Sequence, residues 1–234
     1  MNGNEVLQQP RRFIKKSFKI DLTVDLAIQR TNESEQAPSL LLALHGFGQS
    51  CEKFIRVFQP MTGRNIVVAA PQAPHQFYVK TAPKIVGFTW LTKYERDRSV
   101  EDFVNYMTKT ISAVENECGA SFENIFLLGF SQGVSMAYRL AVSGKITPKG
   151  LIACGADLPP DVRPKLRTVK KFPVLLTHGL EDALVPLHKA EEAEDILKEN
   201  GFFVEKHLFP GGHEIPRSVV NKVGDWMGEQ HANV

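Results

Sequence analysis

Hydrophobic positions change period several times along this chain. Over residues 17–28 they alternate: Phe18, Ile20, Leu22, Val24, Leu26 and Ile28 share one face, and Lys19, Asp21, Thr23 and Asp25 the other. A period of two predicts a half-buried β-strand, or a hairpin bent within the stretch. The polar run 30–39 (RTNESEQAPS) predicts a loop. Beyond it lie short continuous apolar runs at 40–44, 66–70, 125–128, 151–153 and 174–177. Runs of this length suit strands covered on both faces, as in a parallel sheet. Between them the period becomes helical. Ser99 and Asp102 make an S-x-x-D capping signal, after which Val100, Phe103, Val104, Met107, Ile111 and Val114 form a stripe ending at Gly119. Further helices are predicted over 132–143 before Gly144, over 189–200 before Gly201, and over 216–227, the last opening on a proline tolerated in a first turn.

Strands and helices in alternation predict an α/β fold: a mostly parallel central sheet with helices on both faces. No linker or repeat interrupts the 234 residues, so the chain reads as one domain, 1–234, with an N-terminal arm over 1–16. Residues 75–97 fit neither period and are rich in aromatic and β-branched side chains. They read either as a substrate loop or lid, or as a short extra strand with its turns.

Charge and cysteine content narrow the chemistry. A net charge of +2 gives no strongly basic face, which argues against a nucleic-acid partner. The small cluster Arg11, Arg12, Lys15 and Lys16 reads as a solvated arm. Cys51, Cys118 and Cys154 are odd in number and lack C-x-x-C spacing, which argues against a disulfide framework and a zinc site. They fit small apolar residues in a reducing compartment. The opening residues hold no apolar signal segment, and no run is long enough to span a bilayer; a cytoplasmic location is the expectation. No metal cluster, phosphate loop or dinucleotide fingerprint is present, so no cofactor is expected.

The strongest chemical signal is Gly129-Phe130-Ser131-Gln132-Gly133, directly after an apolar run and directly before a helical pattern. G-x-S-x-G in that setting is a nucleophile elbow. The tight turn needs glycine on both sides, and it lifts the serine hydroxyl above the sheet at a helix N-terminus. A serine hydroxyl needs a base. Among seven histidines, His213 in Gly211-Gly212-His213-Glu214 follows a strand-like run and precedes the last helix, the place the order serine, acid, histidine requires. The acid is expected after the run 174–177. There Asp182 is favoured over Glu181, because Ala183-Leu184-Val185-Pro186 beside it reads as a fixed turn. Two oxyanion donors are expected, the N–H of Gln132 and that of Phe47 between the glycines of His45-Gly46-Phe47-Gly48-Gln49. His45 reads as a structural anchor of that loop. Phe47, Phe77, Phe88, Trp90 and Leu184 are the candidate lining of a cleft for an apolar acyl or alcohol group.

Four motifs in order, L-x-L-H-G-F-G, G-F-S-Q-G, H-G-x-x-D-x-x-V-P and G-G-H, resemble the phospholipase/carboxylesterase family of α/β-hydrolases, which includes acyl-protein thioesterases and small bacterial carboxylesterases. The resemblance spans about residues 40–227. It implies Ser131 as nucleophile, Asp182 as acid, His213 as base and Phe47 and Gln132 as oxyanion donors, with Trp90 on a segment lining the substrate cleft. The expected reaction is cleavage of a small-molecule carboxylic ester or thioester through an acyl-enzyme. Two departures stand out. Gln49 replaces the acidic residue usual in the thioesterase members, and residues 92–98 (TKYERDR) are more charged than in an acyl-protein thioesterase. A peptidase or lactone hydrolase on the same fold, and a non-catalytic binding module on a hydrolase scaffold, are the alternatives.

Overall fold

A computed structural model of the protein describes residues 13–32 and 37–232. The basic pair Arg11 and Arg12, most of the predicted arm, and residues 33–36 of the predicted loop lie outside the described residues. The rest builds around a seven-stranded sheet with strand order β1-β3-β2-β6-β7-β8-β9. Its strands are β1 (Leu26–Arg30), β2 (Ser39–Leu44), β3 (Ile66–Pro71), β6 (Ile125–Phe130), β7 (Gly150–Cys154), β8 (Val174–Gly179) and β9 (Val204–Phe209). All neighbours are parallel except β1, which runs antiparallel to β3. A separate two-stranded sheet pairs β4 (His75–Thr81) with β5 (Lys84–Thr89).

The continuous apolar runs are explained by burial on both faces. In β2, Leu40, Leu42 and Leu44 enter one core with α2 (Arg96–Cys118), α3 (Gln132–Ala141) and α4 (Leu187–Glu199), while Leu41 and Ala43 enter the opposite one. That second core is closed by α1 (Cys51–Phe54), a 3₁₀ segment Ile55–Met61 and α5 (Arg217–Ala232). The predicted helical stripe of α2 is buried as expected at Phe103, Val104, Met107, Ile111 and Val114, and Gly119 ends the helix in a left-handed turn. The helix starts earlier than predicted, at Arg96; Ser99 is not its cap but bonds back to the Glu95 carbonyl from within the first turn.

One expectation is corrected. The alternation of residues 17–28 predicts a half-buried strand, or a hairpin bent within it, but only its end forms β1. Antiparallel pairing with β3 stops at Leu26 opposite Pro71, so the preceding residues overrun their partner strand. Within residues 75–97, read as a substrate loop or lid or as a short extra strand with its turns, β4 and β5 form a hairpin through Ala82-Pro83, and residues 90–95 connect it to α2 without strand or helix.

Sheet order fixes where chemistry can occur. From β2 the chain crosses outward to β3, whereas from β6 it proceeds the other way through β7, β8 and β9. A crevice therefore opens at the carboxyl ends of the adjacent strands β2 and β6, the usual ligand position in such sheets. A part-buried ion pair braces this region. Arg139 of α3, only 8% exposed, donates to both Asp161 oxygens at 2.9 and 2.8 Å and ties α3 to the segment after β7.

The Arg139 hydrogen bonds outweigh burial and hold the Asp161 carboxyl below its ordinary range, with further attraction from Arg139 and Arg96. A depressed carboxylate stabilises the fold above its unfolded pKa, and that stability is lost as pH falls through the lower folded value. Asp161→Asn, which leaves the Arg139 charge buried without its counter-charge, is expected to cost about 2–4 kcal/mol at neutral pH. In urea denaturation the gap from wild type should close as pH falls below about 4. A gap constant with pH would contradict the ion-pair account.

Candidate active site

Three strand ends deliver the predicted triad residues to one place. Ser131 stands between β6 and α3 with φ 53° and ψ −119°, a left-handed conformation uncommon outside glycine. Strain of this kind persists only where the surroundings enforce it. The enforcement comes from how closely α3 approaches the sheet. A Cβ on Gly133 would lie 2.0 Å from the Leu44 carbonyl oxygen, and one on Gly129 would lie 2.4 Å from Val134 backbone atoms. Both glycines of G-x-S-x-G are therefore required by contact. The Ser131 N–H donates to the Cys154 carbonyl at 3.0 Å, pinning the turn to β7.

His213 follows β9, and Asp182 follows β8. The His213 Nδ1 to Asp182 Oδ2 distance is 2.7 Å, with the carboxylate 1% and the imidazole 13% exposed. The other carboxylate oxygen accepts the N–H groups of Leu184 and Val185, both at 2.9 Å. Burial alone would raise the Asp182 pKa. The bonds from Val185, His213 and Leu184 overcome it and hold the carboxyl below the ordinary range. The predicted turn after Asp182 thus orients the acid through its N–H groups. His178 supports the same loop by placing Nε2 2.8 Å from the Val185 carbonyl, so that nitrogen is the donor. The His213 ring packs against Phe130, with centroids 4.9 Å apart, and a Cβ on Gly155 would come within 3.3 Å of the imidazole. The ring is thereby held beside the serine turn.

Cysteine offers no rival nucleophile at this point. Cys154 adjoins the elbow, but burial pushes its thiol up to about 12.

The loop after β2 has a selective arrangement of donors. Gly46 N–H is taken by Gln49 Oε1 at 2.8 Å, Gly48 N–H by the Phe88 carbonyl at 2.8 Å, and Gln49 N–H by the Gly46 carbonyl at 3.3 Å. Among the described residues this leaves the Phe47 N–H as the uncommitted donor of the loop. Gln132, the first residue of α3, has an N–H with no carbonyl four residues back within the helix to take it. His45 anchors the loop as expected: its Nε2 accepts the Ala73 N–H at 3.1 Å, which puts the ring proton on Nδ1 facing the Gly46 carbonyl at 2.9 Å. Burial depresses the His45 pKa, against the Gly46 contact, consistent with a neutral ring.

The predicted cleft lining divides. Phe47 is 59% exposed and stacks on Phe77 at 4.7 Å, and Leu184 is 73% exposed beside the acid, so both face the outside at this end of the sheet. Phe88 is half-buried, and its carbonyl accepts the Gly48 N–H of the loop carrying Phe47. Trp90 requires correction. It is 1% exposed, packs on Phe103, and donates its indole N–H to the His45 carbonyl at 2.8 Å. It lies in the core and supports the loop from beneath, where a substrate cannot touch it.

Sequence reasoning missed two supports. The Gln132 side chain bonds Thr89 Oγ1 at 2.8 Å, the Leu91 carbonyl and the Trp90 N–H, both at 3.1 Å, clamping the segment after β5 to the elbow. Gly87 of β5 presses on the oxyanion loop: a Cβ there would lie 2.6 Å from the Gly48 carbonyl oxygen and 2.4 Å from Val79. The available signal was the isolated glycine in the strand-like run Ile85-Val86-Gly87-Phe88-Thr89, which marks close backbone approach.

Comparison with known proteins gives the family and the fold. A family model described as Phospholipase/Carboxylesterase matches residues 25–230. The Arabidopsis thaliana protein named "Probable carboxylesterase SOBER1-like" is 24% identical over 216 residues, 85% of this chain and 81% of the relative. Acyl-protein thioesterase 1 of Neurospora crassa is 28% identical over 122 residues, half of each chain. Among solved structures, esterase PE8 superposes with a TM-score of 0.72 at 24% identity, covering 89% of this chain and 99% of its own. The Bacillus cereus carboxylesterase gives 0.67 at 17% identity, covering 88% and 94%. These structural likenesses establish the α/β-hydrolase fold.

If β5 sets the position of the Phe47 N–H, Gly87→Ala must displace the oxyanion loop or the hairpin. Turnover of p-nitrophenyl acetate should fall about 10- to 100-fold in kcat, with KM changed less than about threefold and thermal stability nearly kept. Wild-type kcat in this variant would contradict that coupling.

Proposed function

The chain belongs to the phospholipase/carboxylesterase family, a serine hydrolase of carboxylic esters or thioesters, and we propose that Ser131, His213 and Asp182 carry out its reaction. One observation carries the assignment: the 2.7 Å His213–Asp182 pair stands beside a serine forced into a strained turn.

The roles follow from the bonds. Asp182 engages Nδ1 of His213, so Nε2 is the nitrogen left to take the Ser131 proton. Ser131 Oγ attacks the acyl carbon, and the carbonyl oxygen becomes an oxyanion held by the Phe47 and Gln132 N–H groups. His213 then protonates the departing alcohol or thiol, leaving the acyl group on Ser131. Water enters, His213 takes one of its protons, and the acid is released with the serine restored. Asp182 stays ionised throughout and stabilises the imidazolium in both halves of the cycle.

The substrate reading is a small ester or thioester with an apolar group. It is supported by the exposed apolar side chains at this end of the sheet, Phe47, Leu184 and those of the β4–β5 hairpin. Gln49 occupies the place of the thioesterases' acidic residue but supplies only a neutral acceptor to Gly46, which favours oxygen esters as the first substrates to test. Among the described residues no helix is long and apolar enough to cross a membrane. The three unpaired cysteines, two of them buried, favour a reducing compartment, in line with a cytoplasmic location.

A panel of p-nitrophenyl esters from acetate to palmitate, on wild type and Ser131→Ala, tests the assignment. The variant should lose about 10³-fold or more in kcat/KM with its fold intact, and the preferred chain length sizes the acyl site. Retained turnover would remove Ser131 as nucleophile. No ester turnover by folded wild type would favour the peptidase or binding-module alternatives. The pH profile is a separate check. Because the Asp182 carboxyl is held below the ordinary carboxylate range, its protonation should not enter above about pH 4. The acid limb of kcat/KM should therefore show a single ionisation, that of the base. A second break between about pH 4 and 5 would contradict the ionised-acid assignment.

A further inference from the structure

The stretch that overruns β1 has properties a solvated arm does not need. Phe18, Ile20 and Leu22 are 85%, 75% and 59% exposed, and they alternate with Lys19, Asp21 and Thr23. Among the described residues, its backbone bond to the region of the sheet is at its end, where the Asp25 carbonyl accepts the Gln72 N–H. Among the described residues, the backbone N–H and C=O groups of 17–24 have no backbone partner. Lys19 and Asp21 have no ion-pair partner there either. The arm is nonetheless placed: Lys15 bonds Glu95 at 2.7 Å and Ser17 bonds Arg98 at 2.5 Å, both at the start of α2. An extended apolar strand with open backbone groups at a sheet edge is a template for pairing with another chain.

The sequence of the arm says which chain. Laid antiparallel on a second copy of itself about Ile20, it places Phe18 opposite Leu22, Ile20 opposite Ile20, Lys19 opposite Asp21 and Ser17 opposite Thr23. Every apolar residue then meets an apolar one, and each Lys19 meets the partner's Asp21, a pair that occurs twice about the axis. Such matching on both faces is what an isologous two-fold contact requires. We propose that residues 17–23 form an antiparallel two-stranded ladder with the same residues of a second copy of this chain, making a homodimer centred on Ile20. The ladder leaves the sheet at Leu26, opposite Pro71 at the carboxyl end of β3, so the dimer axis lies at the catalytic end of the sheet. A lipid surface would also take the phenylalanines and lysines. It would repel Asp21 and Asp25, however, and would leave the extended backbone unpaired. Pairing with a second copy sets Lys19 against Asp21 and gives the extended backbone of 17–23 hydrogen-bond partners. The contact is small, so the dimer is weak, with a dissociation constant on the order of micromolar.

The test is sedimentation velocity of the full chain from about 1 to 200 µM, with charge-swap variants of the arm. Wild type should pass from monomer to dimer over this range. Lys19→Asp and Asp21→Lys should each weaken the dimer at least about tenfold, because each sets like charges opposite one another. The double swap Lys19→Asp/Asp21→Lys should restore it. Register is read independently by oxidative cross-linking in a Cys118→Ser background. Ile20→Cys should link to itself, since directly opposed residues lie about 4.5–5.5 Å apart. Phe18→Cys alone should not, although mixed with Leu22→Cys it should. None of these residues belongs to the catalytic machinery, so ester turnover reports that each variant is folded. A wild type that stays monomeric to the highest concentration overturns the proposal. So does a dimer that the double swap fails to restore, or a monomer that floats with anionic phosphatidylserine vesicles through Phe18 and Ile20.

Discussion

Everything at the catalytic end depends on one close contact: α3 is set so near β2 and β6 that no side chain fits at Gly129 or Gly133. The distance from Gly133 to the Leu44 carbonyl, with the bond from the Ser131 N–H to Cys154, leaves the serine no conformation but the strained one. That contact also decides what surrounds the serine. Gln132 enters the helix with its N–H aimed out of the first turn, and its side chain reaches the segment after β5. Loosening α3 would therefore move Ser131, the Gln132 N–H and the hairpin together.

The acid and base are assembled by a different means. Asp182 is nearly inaccessible, and a buried carboxylate is costly unless its oxygens are satisfied. Two backbone N–H groups of its own turn take one oxygen, and His213 takes the other. His178 fixes the far end of that turn at Val185. The pair is held by short local bonds, whereas the elbow is held by packing between secondary structures. The hairpin β4–β5 joins the elbow to the loop carrying Phe47, since Gln132 bonds Thr89 while the Phe88 carbonyl and Gly87 bear on Gly48.

Much of this was legible from the order of residues. Continuous apolar runs identified the parallel strands because burial on both faces removes alternation, and β9 followed from residues 204–209. G-x-S-x-G between an apolar run and a helical stripe is specific because the glycines answer to backbone contacts. Two things were not legible. Alternation over residues 17–28 signals a strand but not whether a partner strand is long enough to cover it, and β3 ends at Pro71. Trp90 reads as a cleft residue through the family resemblance; only the fold reveals that its indole is spent on the His45 carbonyl. Side-chain periodicity reports burial, but it does not report which neighbour does the burying.

The account turns on an acyl group residing on Ser131 during turnover. Rapid acid quenching of the enzyme with p-nitrophenyl acetate, followed by intact-mass and peptide mass spectrometry, measures this directly. The account predicts a transient acetyl adduct of about 42 Da confined to the peptide containing Ser131, formed as p-nitrophenol is released and absent from Ser131→Ala. Steady ester turnover with no adduct, or with an adduct on another residue that decays at the turnover rate, would contradict it.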